Sequence, residues 1–141
     1  MHRKEFLSRG CKLCSGLVLG SAALSLLNGC ATGKVLNKEI TTDNQITVNL
    51  SEFEDKNFVI IRNKNLSYDL FLYKKSENDV IALLMQCTHY DNPVFANNKE
   101  LFCPSHGSKF NYEGKVLVEP ATKDLKQYKT TINNQIVTII L

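Results

Sequence analysis

The apolar and polar positions of the chain follow one another in short runs that are typical of β-strands. Residues 46–50 (Ile-Thr-Val-Asn-Leu) alternate with a period of two, so one face of a strand is expected to be buried. Residues 58–61, 68–73 and 80–85 are runs rich in β-branched, aromatic and aliphatic side chains, which favour strands. The Asn-Lys-Asn segment at residues 63–65 lies between two of these runs and predicts a turn.

The end of the chain has the pattern of a β-hairpin. Residues 130–132 and 135–141 flank Asn133-Asn134, and asparagine is favoured in tight hairpin turns. No stretch of the sequence carries the apolar stripe of an amphipathic helix. The pattern therefore predicts an all-β domain over residues 46–141, which is long enough to bury a modest hydrophobic core.

Residues 1–29 have the pattern of a signal peptide. A basic start with Arg3 and Lys4 precedes an apolar run at residues 17–27, which is too short to span a bilayer. The start resembles a twin-arginine signal in which Lys4 stands in place of the second arginine. Export by the general secretory route remains the alternative.

The end of this segment resembles the cleavage site of a bacterial lipoprotein. Leu-Asn-Gly at residues 27–29 precedes Cys30, which would become the acylated first residue of the mature protein. An uncleaved N-terminal anchor is the alternative. Residues 30–45 are mostly small and polar, and we expect a flexible tether attached to the membrane through lipid on Cys30. The sequence thus predicts a bacterial protein in the periplasm or on the outer face of the cytoplasmic membrane.

The charge balance excludes one class of partner. The formal net charge is +3, but residues 1–30 hold four basic residues and one acidic residue. Residues 31–141 then hold 13 basic and 13 acidic residues, so the mature domain is neutral. A neutral domain lacks the excess positive charge that binds nucleic acid, and we expect no nucleic-acid partner.

Two short segments carry the candidate chemistry. Cys87 and His89 are two positions apart, and Cys103 and His106 are three apart, so each segment offers one thiolate and one imidazole. A structural zinc ion is one candidate, because two Cys and two His suit tetrahedral coordination. Zinc-finger pairs usually group like ligands, whereas each segment here mixes Cys with His, which favours a centre with two unlike metal ions.

The two segments resemble the ligand motifs of the Rieske iron–sulfur family, C-x-H and, after a spacer, C-x-x-H. The resemblance covers roughly residues 45–141. It also includes the Gly-Ser-x-aromatic segment at residues 107–110, Gly114, Pro120-Ala121, Leu125 and Tyr128. It implies an all-β fold of antiparallel sheets with a small cluster-binding lobe inserted at about residues 87–120.

The resemblance also implies the cofactor and its ligands. In this family two cysteines hold one iron of a [2Fe–2S] cluster and two histidines hold the other. Cys87, His89, Cys103 and His106 are therefore the expected cofactor and metal ligands, with one cluster per chain.

Three neighbouring side chains have implied roles around the cluster. The hydroxyl of Ser108 is expected to donate to a cluster sulfide, with a plain turn serine as the alternative. Phe110 stands where high-potential members have a tyrosine that donates to a cysteine sulfur. Tyr90 follows His89 and is expected to shield the cluster, the alternative being an ordinary loop aromatic.

Two further positions separate this chain from one branch of the family. Quinol-oxidising members carry an extra cysteine in each ligand loop, and the two cysteines form a disulfide. Asn92 and Ser105 occupy these positions here. The resemblance therefore implies a lower-potential electron carrier. A hydrogen bond between Ser105 and Asn92 could join the two ligand loops in place of the disulfide.

The expected function is electron transfer, without catalysis by the chain alone. Rieske oxygenases also need a mononuclear iron held by two His and a carboxylate, and the one further histidine is His2 in the leader. The leading interpretation is an exported, membrane-tethered electron-transfer protein whose partner is a cytochrome, a quinol-oxidising complex or an oxidoreductase subunit. The alternatives are a Rieske subunit of a membrane quinol-oxidising or other oxidoreductase complex, and a zinc-binding module.

Overall fold

The computed structural model describes residues 33–141, and nearly all regular secondary structure in this part of the chain is β-strand. Within it, one 3₁₀ turn of helix spans Leu50–Phe53. The strands are β1 (Lys34–Asn37), β2 (Gln45–Asn49), β3 (Phe58–Arg62), β4 (Leu70–Ser76), β5 (Asp79–Leu84), β6 (Phe95–Ala96), β7 (Leu101–Phe102), β8 (Lys109–Phe110), β9 (Val116–Val118), β10 (Gln127–Asn133) and β11 (Ile136–Ile140).

The strands form two sheets. The larger sheet has the order β1-β3-β4-β5-β10-β11-β2, and the smaller has the order β6-β7-β8-β9. The pairing of β1 with β3 is parallel, whereas the other strand pairs are antiparallel. The smaller sheet lies between β5 and β10 in the chain, and we call residues 85–126 the lobe. The predicted all-β fold with an inserted lobe is confirmed.

The central strands β3, β4 and β5 are buried on both faces. One face packs under the lobe, and the other packs against the half of the larger sheet that contains β10, β11 and β2. The first face carries Phe58, Ile60, Phe71, Ile81 and Leu83, and the second carries Val59, Ile61, Leu70, Leu72, Val80 and Ala82. Burial on both faces explains why these strands are continuous apolar runs.

The strand β2 shows the opposite pattern, because one of its faces is covered and the other is not. Ile46 and Val48 are buried, whereas Thr47 and Asn49 between and after them are exposed. The alternation in residues 46–50 therefore predicted both the strand and its buried face correctly.

The predicted C-terminal hairpin is confirmed, with its turn shifted by one residue. The strands β10 and β11 pair from Lys129 with Ile140 to Asn133 with Ile136. The two turn residues are Asn134 and Gln135, with φ of 49° and 65°. Two consecutive positive φ values are those of the type I′ turn, which matches the twist of a two-residue hairpin.

Within the predicted flexible tether at residues 30–45, the first described residues form a paired strand instead. Lys34–Asn37 forms β1, which pairs with β3 from Lys34 opposite Val59 to Asn37 opposite Arg62. The segment continues along the sheet, because the Lys38 N–H donates to the Arg62 carbonyl at 3.1 Å. The sequence pattern did not indicate β1, because it is a short edge strand and three of its four residues are exposed.

The predicted signal peptide at residues 1–29 and the predicted lipid site at Cys30 lie outside the described residues. In the part from residue 33 onward, no helix has the length and apolar character needed to cross a membrane.

We expect Gly33→Ala to release β1 from the sheet. A Cβ atom at residue 33 would lie 2.2 Å from a carbon of the Phe58 ring. That ring packs against Phe71 and Tyr112, with centroid separations of 5.2 and 5.4 Å, so it has little room to move. Overpacking of this kind typically costs about 1–3 kcal/mol of stability. Hydrogen exchange at the amides of β1 and at Lys38 measures the release.

The control for this prediction is Val35→Ala, which alters the same strand at a side chain that is 41% exposed. Such a surface change should alter stability by about 0.5 kcal/mol or less. Equal amide protection in the two variants would show that residue 33 is not confined by Phe58.

Candidate metal centre

The candidate ligands lie in two loops at one end of the lobe. The first loop begins where β5 ends, and the second begins where β7 ends. A bridge between Gln86 and Pro93 closes the base of the first loop. The second loop is closed by the pairing of β7 with β8, in which Phe102 lies opposite Lys109. The sequence therefore places each Cys directly after a strand and each His in the turn that follows.

The two loops have the same main-chain hydrogen bonds, although their Cys–His spacings differ. In the first loop, the Cys87 N–H donates to the Asn92 carbonyl at 2.8 Å, and the Asp91 N–H donates to the Cys87 carbonyl at 2.9 Å. In the second loop, the Cys103 N–H donates to the Ser108 carbonyl at 2.9 Å, and the Gly107 N–H donates to the Cys103 carbonyl at 3.0 Å.

Each loop needs one residue in the left-handed region to close in this way. Asp91 has φ of 49° and Gly107 has φ of 82°, and the two residues occupy corresponding positions. Glycine adopts this conformation freely, and aspartate is among the side chains that tolerate it best. The two loops therefore share one backbone conformation, in which the two Cys correspond while His89 and His106 occupy different positions.

The four candidate ligands divide into a buried pair and a more exposed pair. Cys87 and Cys103 are free thiols with no exposed surface, and both belong to the core cluster under the lobe. His89 is partly buried and His106 is exposed. The two imidazole rings lie 5.0 Å apart, centroid to centroid, and are nearly perpendicular at 89°. The structure thus places the two imidazoles side by side and both thiols in the core under the lobe, although within residues 33–141 no three Cys, His, Asp or Glu side chains are arranged as a metal-binding group.

One atom of this centre lacks the partner that its burial requires. Nδ1 of His89 is buried, and among residues 33–141 it has no hydrogen-bond partner. A buried polar atom left unpaired costs about 1–3 kcal/mol. A metal ion bound to Nδ1 would satisfy it, and two neutral imidazoles with two thiolates are the donor set of a Rieske cluster. The residues present therefore fit a [2Fe–2S] cluster.

Tyr90 lies beside both imidazoles. Its ring meets His89 edge-on at 4.4 Å and lies 5.8 Å from the ring of His106. The side chain is 69% exposed, so it covers the outer side of the imidazoles without being buried itself.

Ser108 is fully buried and takes part in the packing of the lobe. Its Oγ accepts a hydrogen bond from the Ala121 N–H at 3.0 Å, which ties the second ligand loop to the Pro120-Ala121 segment. A hydroxyl that accepts in this way keeps its own proton for donation. Phe110 is also fully buried and belongs to the apolar core next to the cysteines, where its ring offers no hydrogen bond.

Three side-chain hydrogen bonds that the sequence pattern did not predict hold the first ligand loop. One comes from the segment between β3 and β4, one lies within the loop, and one reaches another part of the lobe. The Tyr68 hydroxyl donates to the Asp91 carbonyl. Gln86 Nε2 donates to the Asp91 carboxylate at 2.9 Å, and Thr88 Oγ1 donates to the Lys123 carbonyl at 2.6 Å. The one sequence signal for this attachment was Asp91 at the end of the loop, because Asp is enriched at positive φ and so indicates a tight turn there.

The structure does not show the Ser105–Asn92 hydrogen bond that the sequence analysis considered. Among the hydrogen bonds of residues 33–141, none joins these two side chains; Ser105 is exposed and Asn92 is half-buried. Both loops are instead tied to the segment at residues 121–123, the first by Thr88 to Lys123 and the second by Ser108 to Ala121. The first loop is also held by Tyr68 through Asp91.

The other end of the lobe is fixed by an aromatic cluster. The Tyr112 ring packs against Phe58, Phe71 and Tyr73 with centroid separations of 5.1 to 5.4 Å. Its hydroxyl donates to the Asn97 carbonyl at 2.5 Å. Burial raises the pKa of Tyr112 above its usual value, with a smaller contribution from Tyr73, so the phenol stays protonated and can donate.

A charged pair closes the segment that carries Ala121. Lys115 Nζ lies 2.6 Å from Asp124 Oδ2, and the Val116 N–H donates to Asp124 Oδ1 at 3.1 Å. The hydrogen bond from Lys115, followed by that from Val116, lowers the pKa of Asp124. Both side chains are well exposed, so the ion pair itself adds little stability.

One protein-family model matches the chain, and solved structures share its fold. The model of the Rieske [2Fe-2S] domain matches residues 38–129. The cyanobacterial plasma membrane Rieske protein PetC3 from Synechocystis PCC 6803 has a similar structure, with a TM-score of 0.56 and 24% identity over 66% of this chain and 95% of that one. A chain in the complex of reduced oxygenase and oxidized ferredoxin in carbazole 1,9a-dioxygenase gives a TM-score of 0.53 and 18% identity over 70% of this chain and 94% of that one. These two structural similarities concern the fold alone. A search of curated proteins found no match to the chain.

We expect Tyr68→Phe to loosen the first ligand loop. The change deletes the hydroxyl that donates to the Asp91 carbonyl and keeps the ring. A hydrogen bond of this kind contributes about 0.5–1.5 kcal/mol. Hydrogen exchange at the Cys87 and Asp91 amides, followed in urea, measures the loss.

The matched control is Tyr128→Phe. Tyr68 and Tyr128 line the same surface cleft of about 340 Å³. In the described part of the chain the Tyr128 hydroxyl forms no hydrogen bond. If the two variants lost amide protection to the same extent, the Tyr68 hydroxyl would have no specific role in holding the loop.

Proposed function

The chain belongs to the Rieske [2Fe-2S] family, whose domain binds a [2Fe–2S] cluster and transfers electrons, and from this premise we propose an exported, lipid-anchored, one-electron carrier. In this proposal Cys87, His89, Cys103 and His106 hold the cluster. The observation that carries the ligand assignment is the partnerless, buried Nδ1 of His89, which lies beside a second imidazole and in a loop that matches that of Cys103 and His106.

The ligands divide into an inner and an outer pair. Cys87 and Cys103 have no exposed surface, so they hold the inner iron as thiolates, while His89 and His106 hold the outer iron as neutral imidazoles. When bound, the cluster supplies one-electron chemistry at potentials of about −150 to +300 mV for this ligand set. Because the imidazoles are the exposed pair, an electron partner approaches them and Tyr90.

Ser108 tunes this centre in the proposal. Its Oγ is already an acceptor for the Ala121 N–H, which fixes the hydroxyl in place and leaves its proton to be donated toward the cluster. A hydrogen bond to a cluster sulfur stabilises the reduced form and raises the potential. Phe110 cannot donate, so one tuning contact of high-potential relatives is replaced by apolar packing.

The carrier role is favoured over catalysis by the histidine content. The full sequence has three histidines, and His2 lies in the predicted leader. A mononuclear oxygenase iron needs two histidines in addition to those of the cluster. The absence of cysteine at Asn92 and Ser105 favours a lipid-anchored electron carrier over the quinol-oxidising subunit, which is the alternative.

The proposed location is the periplasm or the outer face of the cytoplasmic membrane. The support is the predicted leader at residues 1–29 and the lipoprotein-like site at Cys30. The plasma membrane Rieske protein with a similar fold has a location of the same kind. The partner would be a cytochrome, a quinol-oxidising complex or another oxidoreductase subunit.

We expect Cys87→Ser and His106→Ala each to abolish the cluster, because each removes one ligand of an iron. The wild-type protein should contain two iron and two acid-labile sulfide per chain, as a [2Fe–2S] site requires. Metal analysis, visible absorption and EPR of the reduced protein measure the change. Ser105→Ala, an exposed change in the same loop as His106, is the control and should keep the full iron content. Full iron and sulfide in either ligand variant would refute the assignment.

We expect Ser108→Ala to lower the reduction potential and to destabilise the lobe. The change removes the proposed donor and leaves the Ala121 N–H without its acceptor, which costs about 1–3 kcal/mol. Redox titration and urea unfolding separate the two effects. Ser105→Ala again serves as the control, and an unchanged potential in Ser108→Ala would show that Ser108 has a structural role alone.

We expect cleavage before Cys30 and acylation of this residue, because residues 27–29 have the pattern of a lipoprotein site. More than one acyl chain is needed for stable attachment to a membrane. Mass spectrometry of the native protein measures both events, and Cys30→Ser should release the protein from membranes with its cluster intact. An intact N-terminus or an unmodified Cys30 would contradict the proposed anchor.

A further inference from the structure

The described chain starts at the end of the sheet that lies farthest from the metal centre. Lys34 lies opposite Val59 in a parallel pair, so Gly33 is next to Phe58. Phe58 pairs with Tyr73, and Tyr73 pairs with Ile81. Gly33 therefore lies at the level of Ile81 along the direction of β5.

The ligand loops lie at the other end of the same strand. The strand β5 runs from the level of Gly33 toward Cys87, and the pairing continues past its end, because the Met85 N–H donates to the Asp69 carbonyl at 2.9 Å. Ile81 and Cys87 are six positions apart, which corresponds to about 20 Å at about 3.3 Å per residue. His89 and His106 lie in the loops beyond this point.

The lobe is oriented in the same direction along the larger sheet. Its ligand loops are at the Met85 end, whereas its opposite turns contact the Gly33 end of the larger sheet. Lys75 Nζ lies 2.7 Å from a carboxylate oxygen of Glu113, and Lys56 Nζ lies 3.5 Å from the side-chain oxygen of Asn98. The long axis of the domain therefore has the chain entry at one end and the imidazoles at the other.

The chain entry is fixed and close to the proposed lipid site. Gly33 is held under the Phe58 ring, and β1 is paired with β3 along its full length. Cys30 is three positions before Gly33, and three residues span at most about 11 Å. A tether of 15 residues would let the domain swing, but nothing of that length separates the first paired residue from Cys30.

We propose that the imidazole end faces away from the membrane and that its electron partner is a water-soluble one-electron carrier protein, not a quinol within the bilayer. This inference rests on the proposed anchor at Cys30. The acyl chains hold the Phe58 end at the bilayer surface, and the length of the sheet then keeps His89 and His106 on the aqueous side. The exposed ring of Tyr90 and the exposed His106 give that partner a contact surface, since Tyr suits interfaces that are part apolar and part wet.

Two exposed positions test the orientation. Asn78 lies in the turn between β4 and β5, beyond the level of Gly33, and Lys123 lies next to the first ligand loop, where its carbonyl accepts from Thr88. A fluorophore is placed on Asn78→Cys or Lys123→Cys in the acylated holoprotein. Each protein is bound to phosphatidylcholine–phosphatidylglycerol vesicles that contain a lipid with a nitroxide on its headgroup.

We expect the fluorophore at residue 78 to be quenched several-fold more strongly by the nitroxide lipid than the fluorophore at residue 123. Adding Cys30→Ser should abolish quenching at both positions, which shows that the contact depends on the anchor. Equal quenching, or stronger quenching at residue 123, in a chain that carries lipid and cluster overturns the orientation. A chain without lipid on Cys30 overturns the anchor of the proposed function instead, and mass spectrometry distinguishes this case.

A kinetic measurement tests the class of partner. Vesicle-bound holoprotein is mixed with a reduced c-type cytochrome in solution, or it is prepared in vesicles that contain a long-chain quinol. The cytochrome should exchange an electron with the anchored protein as fast as with Cys30→Ser in solution, and the quinol should react many-fold more slowly. Reduction by the bilayer quinol at the rate seen with the cytochrome would overturn the proposal, even where the quenching pattern is as expected.

Discussion

The central strands β3, β4 and β5 are apolar on both faces, and the rest of the structure is arranged so that each of these faces is buried. One cover is the half of the sheet with β10, β11 and β2, and the other is the lobe. Phe71 and Leu83 are fully buried under the lobe, and each buried side chain of this size contributes about 1.5–3 kcal/mol. The lobe strands have two or three residues each and would not be stable alone. The larger sheet therefore stabilises the lobe, and the lobe covers one apolar face of the larger sheet.

The positions of the candidate metal ligands depend on this packing of the lobe on the larger sheet. Each ligand loop is a closed backbone turn that departs from a strand end, with Asp91 or Gly107 at positive φ. The first loop is held through Asp91 and the second through Ser108, and no side-chain hydrogen bond in the described chain joins Asn92 to Ser105. Bound metal would therefore be the direct link between the two loops. In such a site the free energy of metal binding is also free energy of folding for the lobe.

The sequence predicted the features that depend on a local pattern of residues. It did not predict contacts between residues that are far apart in the chain. Alternation at residues 46–50 identified β2 and its buried face, and the Cys-His spacings identified the two loops that lie at one end of the lobe. The strand β1 was missed, because four residues with two apolar side chains give little periodic signal, and its partner β3 lies about 25 positions away. The contact of Tyr68 with Asp91 was missed for the same reason, since nothing near Tyr68 marks it as a loop-holding residue.

The burial of the ligands has a consequence for how such a carrier works. The two cysteines have no exposed surface, and the core under the lobe lies between them and the Gly33 end. The imidazoles and Tyr90 form the exposed side of the centre. In the proposed carrier, donor and acceptor would use the same small surface and would bind in turn. A short, fixed chain entry at the opposite end leaves that surface open to both, whereas a long tether is needed where one domain must carry the electron between two fixed sites.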